Sequence, residues 1–311
     1  MFTGASNFVE GVDNAFMVII GSSIILLLLI TAVMIFFIIK YNKKRHPKAV
    51  DIEGSNMLEF IWTLIPTALV LTMFWYGYIG YAPMKNVPDD AIEITVTARM
   101  WSWTFEYDNG RKSDRLIVPH NKPVKLDLVS VDVLHNLYIP AFRIKEDVVP
   151  GGNNYMWFIA QKKGSYDILC AEYCGLRHSY MITKLEVLSP EEYEEWYVLP
   201  PDSMMNQADV WYDITRANGC IGCHSTDGSK LVGSSFKDLY GSEKVILVGG
   251  EEKTITVDKP YIRRSIIDPN SEIVKGYPVG IMPNYTNQIS DEDIEKIILY
   301  IKSLSDAGTE E

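Results

Sequence analysis

The sequence contains few of the residues that bind metals or form disulfides, with only four cysteines and five histidines among 311 residues. Basic residues are also scarce relative to acidic ones: 29 Lys and Arg stand against 40 Asp and Glu, giving a net charge of −11. Because binding to a phosphate backbone needs a basic face, a nucleic-acid partner is excluded. Disorder is excluded as well, since 47% of the residues are hydrophobic and only 22% are charged.

Charge is absent from two long segments near the N-terminus, residues 14–39 and 60–84. About 20 apolar helical residues cross a bilayer core of roughly 30 Å, so each segment is long enough to span a membrane. Five positive charges lie between them, at residues 40–48, and the positive-inside rule places this loop in the cytoplasm. We therefore predict a two-helix membrane anchor over residues 1–84, with the N-terminus and everything after residue 84 on the outer side.

Residues 85–200 have the pattern of a β-domain. Apolar and polar residues alternate strictly at 92–99 and 124–128, and further short apolar or alternating runs occur at 155–160, 166–170 and 184–188. Several strands at this spacing, with no helical period between them, predict a sandwich or a Greek-key barrel. Ser189-Pro190 and the two glutamates after it predict a closing helix, and residues 199–206 are the predicted linker.

Two cysteines, a histidine and a methionine lie close together in this domain, as Cys170, Cys174, His178 and Met181, and His135 lies at an earlier strand end. Soft sulfur combined with imidazole selects copper or zinc over magnesium or calcium. Zinc prefers four closed ligands and makes no use of a methionine, so the set favours copper. Both sulfurs of such a short loop can bridge two metal ions, and a disulfide is the alternative for this pair.

The sequence Cys220-Ile-Gly-Cys223-His224 is the motif that attaches haem c through two thioether bonds, with the histidine as an axial iron ligand. A bare motif of this kind also occurs in zinc and redox sites. Here a segment with helical spacing precedes it at 210–217, and an amphipathic helical segment follows near the C-terminus. No histidine follows His224, and Met282 is the only later methionine, so Met282 is the candidate for the sixth iron ligand.

These motifs resemble cytochrome c oxidase subunit II with a fused class I cytochrome c domain. Besides the metal motifs, the resemblance rests on four segments: Glu59-Phe-Ile-Trp62-Thr-Leu-Ile-Pro66, Trp101-Ser-Trp103, Asp132-Val-Leu-His135 and Phe142-Arg-Ile-Lys-Glu-Asp147. It implies a multidomain membrane protein. Residues 1–84 would form a two-helix transmembrane hairpin, 85–200 an all-β, cupredoxin-like Greek-key copper A domain, and 201–311 an all-α cytochrome c domain.

The resemblance also implies roles for individual residues. The copper A ligands would be the side chains of His135, Cys170, Cys174, His178 and Met181, together with the backbone carbonyl of Glu172. The Glu172 carboxylate would reach a magnesium or manganese ion at the interface with the catalytic subunit. Trp101 would be where electrons reach the copper, whereas its spacing alone fits a core or interface tryptophan. Glu59 would mark the mouth of a proton path, whereas its position alone also fits a charge at the headgroups.

The function implied is that of subunit II of a bacterial haem–copper cytochrome c oxidase. Electrons would pass from haem c through two coppers to haem a of a separate catalytic subunit, which reduces oxygen and pumps protons. The expected partners are subunit I, other oxidase subunits, the lipid bilayer, and either a cytochrome c or a membrane quinol–cytochrome c reductase as donor. The alternatives are a copper A subunit of a nitric-oxide reductase and a membrane-tethered electron carrier without an oxidase.

Overall fold

The computed structural model describes residues 4–48, 51, 53–198 and 207–305, so the predicted linker at 199–206 lies outside the described residues. The helices are α1 Val9–Lys40, α2 Asn56–Tyr81, α3 Pro190–Val198, α4 Gln207–Ala217, α5 Lys259–Ile267 and α6 Asp291–Ser303. The strands are β1 Ile92–Arg99, β2 Ser102–Tyr107, β3 Lys112–Ser113, β4 Leu116–Pro119, β5 Pro123–Ser130, β6 His135–Ile139, β7 Ile144–Val148, β8 Asn154–Ile159, β9 Gly164–Cys170, β10 Ile182–Leu188, β11 Glu243–Val248, β12 Glu251–Thr256 and β13 Ile273–Val274.

Helices α1 and α2 pair as a hairpin, and both are long and apolar enough to cross a membrane. Neither helix buries a residue against the rest of the described chain, so their leucine, isoleucine and phenylalanine side chains are exposed. Exposure of so much apolar surface is unstable in water and stable in lipid. The Ser55 hydroxyl accepts a hydrogen bond from the Leu58 backbone and caps the start of α2.

The first ten strands form two five-stranded sheets, in the orders β3-β2-β1-β5-β8 and β4-β10-β9-β6-β7. All five predicted strands are present, and their buried apolar side chains pack in the core of the sandwich. Helix α3 closes this sandwich and begins as predicted: the Ser189 hydroxyl accepts from the Glu192 N–H, and the Glu192 carboxylate accepts from the Ser189 N–H.

Residues just before α1 belong to the packing of this sandwich. The Ala5 N–H donates to the Ala141 carbonyl at 2.9 Å, and Ser6 forms an isolated bridge with Ala160. The Phe8 ring is buried edge-on against Trp157, with 4.9 Å between ring centroids. The N-terminal end of α1 is thereby attached directly to the β-domain, which the sequence pattern alone did not predict.

The C-terminal part contains the helices that the sequence predicts, and α4 packs against α6. Ser290 caps α6 by accepting from the Asp293 N–H at 3.1 Å. A small antiparallel sheet has the order β12-β11-β13; β11 and β12 lie between α4 and α5 along the chain, and β13 follows α5. It was not among the predicted elements, although Gly249 and Gly250, both with positive φ, supply the tight turn that joins β11 to β12.

Candidate copper and haem sites

The end of β9 and the loop after it bring the sulfur ligands together. The Sγ atoms of Cys170 and Cys174 are 3.7 Å apart, and both cysteines are free and buried. The Cys174 Sγ atom lies 3.5 Å from Nδ1 of His178 and 3.8 Å from Sδ of Met181. On the other side, the Cys170 Sγ atom lies 3.2 Å from the Glu172 carbonyl oxygen. The loop therefore folds so that five predicted ligands face one another.

The sixth predicted ligand, His135, is the first residue of β6 and is fully buried. Its Nδ1 atom faces Sγ of Cys170 at 3.9 Å, while its Nε2 atom is 2.8 Å from Oδ1 of Asp132. A carboxylate on one ring nitrogen fixes the ring and its tautomer and leaves the other nitrogen for a metal. Burial opposes protonation of His135, but hydrogen bonding to Asp132 raises its pKa above the usual value.

The two thiols differ in acidity. Burial works against ionisation of Cys170, yet hydrogen bonds with His135 and with neighbouring backbone groups lower its pKa. Burial raises the pKa of Cys174, and the charge on Cys170 raises it further. The pair thus loses its first proton readily and holds the second, which is the behaviour expected of two thiolates that need a cation between them.

Trp101 covers this loop from the side of β2. Its indole Nε1 donates to the Cys174 carbonyl at 3.1 Å, and the side chain is buried. Gly175, at φ +115°, must be glycine because a Cβ there would lie 3.1 Å from the indole ring. A Cβ added to Gly222, inside the haem-attachment motif, would lie 3.6 Å from the Trp101 carbonyl oxygen. Trp101 therefore contacts the copper-ligand loop through its ring, and its backbone carbonyl lies beside the haem motif, where the missing side chain of Gly222 leaves room for it.

Helix α4 leads into the haem-attachment motif, and His224 is held there by two contacts. Its Nδ1 atom is 2.7 Å from the Ser234 carbonyl oxygen, and its ring stacks on Phe236 with 4.6 Å between centroids. Burial lowers the pKa of His224, so the imidazole is neutral at pH 7. A neutral ring whose Nδ1–H is bonded to a carbonyl presents Nε2 as a ligand.

A mainly apolar cavity adjoins this histidine. Cys220, Cys223, His224 and Met282 all line it, and burial raises the pKa of both thiols, that of Cys220 to about 12. The β-domain contributes Met100 to the same wall. Sequence reasoning missed Met100 because it lies in a different domain, over a hundred residues before the motif, and no local pattern points to it.

The carboxylates of two predicted site residues lie outside these clusters. Glu172 is exposed, and its carbonyl rather than its carboxylate faces the cysteines. Glu59 lies in the exposed first turn of α2, where its N–H donates to the Ser55 carbonyl at 3.0 Å. Among the described residues, neither carboxylate belongs to a group of three or more side chains that could hold a metal ion.

The residues at the two sites fit the two cofactors that the sequence implies, a pair of copper ions and a haem. Two thiolates 3.7 Å apart, flanked by two imidazole nitrogens, a thioether and a carbonyl oxygen, suit a pair of copper ions. An apolar cavity lined by two thiols and a neutral imidazole suits a haem bound covalently through a C-x-x-C-H motif. Fold and sites together define a membrane-anchored cupredoxin-like protein that carries a cytochrome c domain.

Comparison with known families identifies this combination. Residues 1–78 match the transmembrane domain of cytochrome c oxidase subunit II, 111–188 match the periplasmic domain of that subunit, and 212–305 match cytochrome c. The chain belongs to the cytochrome c oxidase subunit II family, in a form with a fused cytochrome c domain. Membership implies membrane insertion, copper A and haem as cofactors, and a place within an oxidoreductase complex.

Similar proteins extend over most of the chain. Cytochrome c oxidase subunit 2 of Alkalihalophilus pseudofirmus is 31% identical over 284 residues, which is 86% of this chain and 79% of that protein. The subunit 2 of Bacillus sp. (strain PS3) is 30% identical over 297 residues, 85% of this chain and 78% of that one. Among solved structures, the periplasmic domain of subunit II from Bradyrhizobium japonicum is 31% identical, covers 36% of this chain and 94% of that one, and has a TM-score of 0.34.

Proposed function

We propose that this chain accepts electrons at a covalently bound haem c and passes them through a dinuclear copper A centre to haem a of a separate catalytic subunit, which reduces oxygen and pumps protons. The observation that carries the proposal is the position of Trp101. Its indole donates to the carbonyl of the copper ligand Cys174, and its backbone carbonyl lies beside Gly222 of the haem motif, 3.6 Å from where a Cβ of residue 222 would be. One buried residue thus touches both candidate redox sites.

The copper pair would be held by residues that the fold has already brought together. Cys170 and Cys174 would bridge the two ions, His135 and His178 would each bind one, and Met181 and the Glu172 carbonyl would be weaker ligands. Bound copper supplies one-electron chemistry. Asp132 fixes the His135 ring, and the buried surroundings keep water from the sulfurs, which together limit how far the site must rearrange when it changes charge.

The haem would be held by thioether bonds to Cys220 and Cys223, with His224 and Met282 as axial ligands. The Ser234 carbonyl and the Phe236 ring keep the imidazole in place whether or not iron is bound to it. Ligation by histidine and methionine favours a high potential, which suits a donor to copper.

The same reading places both redox domains on the outer side of the membrane, because the positive loop at 40–48 belongs in the cytoplasm. Subunit I and other oxidase subunits are the proposed partners, and a cytochrome c or a quinol–cytochrome c reductase is the proposed donor. Glu172 would help to bind magnesium or manganese at the subunit I interface, and Glu59 would mark the entrance of a proton path.

Isolation in mild detergent tests the function as a whole. The complex should contain two coppers and one haem c per copy of this chain, a many-span haem–copper subunit, and oxygen consumption driven by a reduced donor. Isolation without a second haem protein would instead point to a tethered electron carrier. Consumption of nitric oxide in place of oxygen would point to a nitric-oxide reductase.

A further inference from the structure

The cytochrome domain lies directly against the β-domain, and the contact centres on the haem-attachment segment. The Thr104 hydroxyl of β2 donates to the Ala217 carbonyl, the last residue of α4, at 2.5 Å. Arg216, in the same helical turn, forms an ion pair with Asp114 of the β-domain. These contacts fix the end of α4, from which the attachment segment starts.

Gly219 lies where the attachment segment comes close to the β-domain. Its φ is +75°, and a Cβ there would lie 2.2 Å from Oγ of Ser102 and 3.4 Å from Cδ of Arg99. Only glycine fits this position, first because of its backbone conformation and second because the β-domain occupies the space. The attachment segment is thus seated tightly on the β-domain.

Arg177 approaches the segment from the copper-ligand loop. It lies directly before the ligand His178, and its guanidinium donates to the carbonyl of Gly222. Its charge is close enough to oppose the rise in the pKa of the Cys223 thiol that burial causes. The Tyr180 ring lies below the guanidinium, 5.3 Å from its carbon atom. Arg177 therefore joins the copper-ligand loop to the second half of the haem motif.

Arg99 approaches from the end of β1, beside the first half of the motif. Its side chain is 7% exposed and lies over the Tyr285 ring of the cytochrome domain, 4.8 Å from the centroid. Its Nη2 donates to Oε1 of Gln288 at 3.3 Å, whereas among the described residues Nε and Nη1 have no hydrogen-bond acceptor. A buried cation with two unpaired donors is costly, so its retention at a domain contact calls for a role there.

We propose that Arg99 and Arg177 are positioning residues that flank the haem-attachment segment and hold it against Trp101, so that the cytochrome domain donates electrons from a fixed, docked position. The proposal rests on the proposed function. It also means that the β-domain covers this face of the cytochrome domain, so an external donor must reach haem c from another face.

The test compares Arg99→Gln, Arg177→Gln and the double variant with Arg263→Gln, which removes an arginine that pairs with Asp291 and Glu295 inside the cytochrome domain. All are prepared in the full complex and compared at equal copper and haem content. Pulsed electron paramagnetic resonance measures the distance between the oxidised copper pair and oxidised haem c. The wild type and Arg263→Gln should give one narrow distance, and the double variant a broad distribution.

Rapid mixing gives the rate at which the copper is reduced by haem c. Losing a hydrogen bond to a charged group shifts an equilibrium by about tenfold, so each arginine variant should lower the population of the docked position and slow this step by up to that factor, the double variant most. Arg177→Lys, which keeps the positive charge and a hydrogen-bond donor group but not the planar guanidinium, should restore part of the rate. If the double variant keeps the narrow distance and the wild-type rate, the positioning inference is wrong while the proposed function stands; a wild-type complex without copper and haem c would instead overturn the proposed function.

The reduction potential of haem c distinguishes a role of the Arg99 charge from a role of Arg99 in packing alone. Reduced haem carries one positive charge fewer than oxidised haem, so a buried cation nearby stabilises the reduced form and raises the potential. The potential should fall in Arg99→Gln and stay near the wild-type value in Arg99→Lys. An equal fall in both variants, or none in either, would contradict a cationic role for Arg99 beside the haem motif.

Discussion

The ligand residues of the copper site can be tested one at a time. Cys174 contacts the other thiol, the His178 imidazole and the Met181 thioether, so its replacement removes the centre of the set. In Cys174→Ser the electronic signature of a mixed-valence copper pair should vanish, while haem c remains attached and reducible. Copper analysis together with electron paramagnetic resonance checks this.

The matched control is a histidine outside the set. His120 lies in the same domain, but its Nε2 is 3.0 Å from the Gln161 carbonyl oxygen, away from the sulfur ligands. His120→Gln should therefore leave two coppers and an unchanged spectrum. A Cys174→Ser protein that keeps both coppers and the mixed-valence signal would show that this sulfur is not a bridge.

The sixth ligand of the haem iron is the second question at this scale, because two methionines line the cavity. Met282→Ala should leave the haem covalently bound through Cys220 and Cys223, abolish the absorbance band of a thioether–iron bond and lower the potential. Met100→Leu should leave both band and potential in place. If Met100→Leu instead abolished the band and Met282→Ala left it in place, the sixth ligand would be Met100 of the β-domain.

Spacing in the sequence was informative for residues that lie near one another along the chain. The five copper-ligand residues between 170 and 181 converge because one loop carries them, and His135 joins them as the start of a predicted strand. Met100, Arg99 and Arg177 could not be found in this way. Their contacts depend on how two domains pack, and no short-range pattern of charge or hydrophobicity encodes that packing.

At the scale of elements, the turn from α4 into the haem motif gives a further prediction. An alanine in the left-handed region costs about 1–2 kcal/mol, so Gly250→Ala should lower the free energy of unfolding by that amount and Gly219→Ala by more, because its Cβ also displaces Ser102. A Cβ at Gly250 meets nothing within 4 Å, whereas one at Gly219 meets Ser102. Gly219→Ala alone should therefore slow the reduction of copper by haem c.

Denaturant unfolding and rapid mixing on the same two samples check this. Equal transfer rates in the two glycine variants would mean that the domain contact near Ser102 has no part in electron transfer.

Helices and strands with a strong hydrophobic periodicity were predictable from the sequence. Segments whose conformation depends on contacts with residues far along the chain were not. The strand at Ile92–Arg99 alternates and was predicted with the bounds that the structure has. The segment around Phe8 has no period of its own and acquires its conformation from Trp157, far along the chain. In the hairpin of β11 and β12, β12 is mostly polar and exposed and β11 buries only Ile246, so no alternating buried face marked the pair, although its Gly-Gly turn was a usable signal.

At the scale of the whole molecule, the order of electron transfer is the property that the arrangement determines. Trp101 contacts both candidate redox sites but is a ligand in neither, so Trp101→Leu should leave copper and haem fully loaded. Rapid mixing with a reductant should show haem c reduced at the normal rate. Reduction of the copper pair, and of haem a behind it, should lag severely, and steady oxygen consumption should fall in proportion.

Trp157→Leu is the matched control, because it removes an equally large buried ring that packs on Phe8, away from the copper-ligand loop. This variant should lose stability, since filling such a site is worth several kcal/mol, without a change in the rate of transfer. If Trp101 were only a core residue, the two variants would behave alike: both would lose stability or copper, and the surviving protein would transfer electrons at the normal rate. Time-resolved absorbance of haem c against the near-infrared copper band distinguishes these results, because only a residue that lies in the path delays the second signal while leaving the first unchanged.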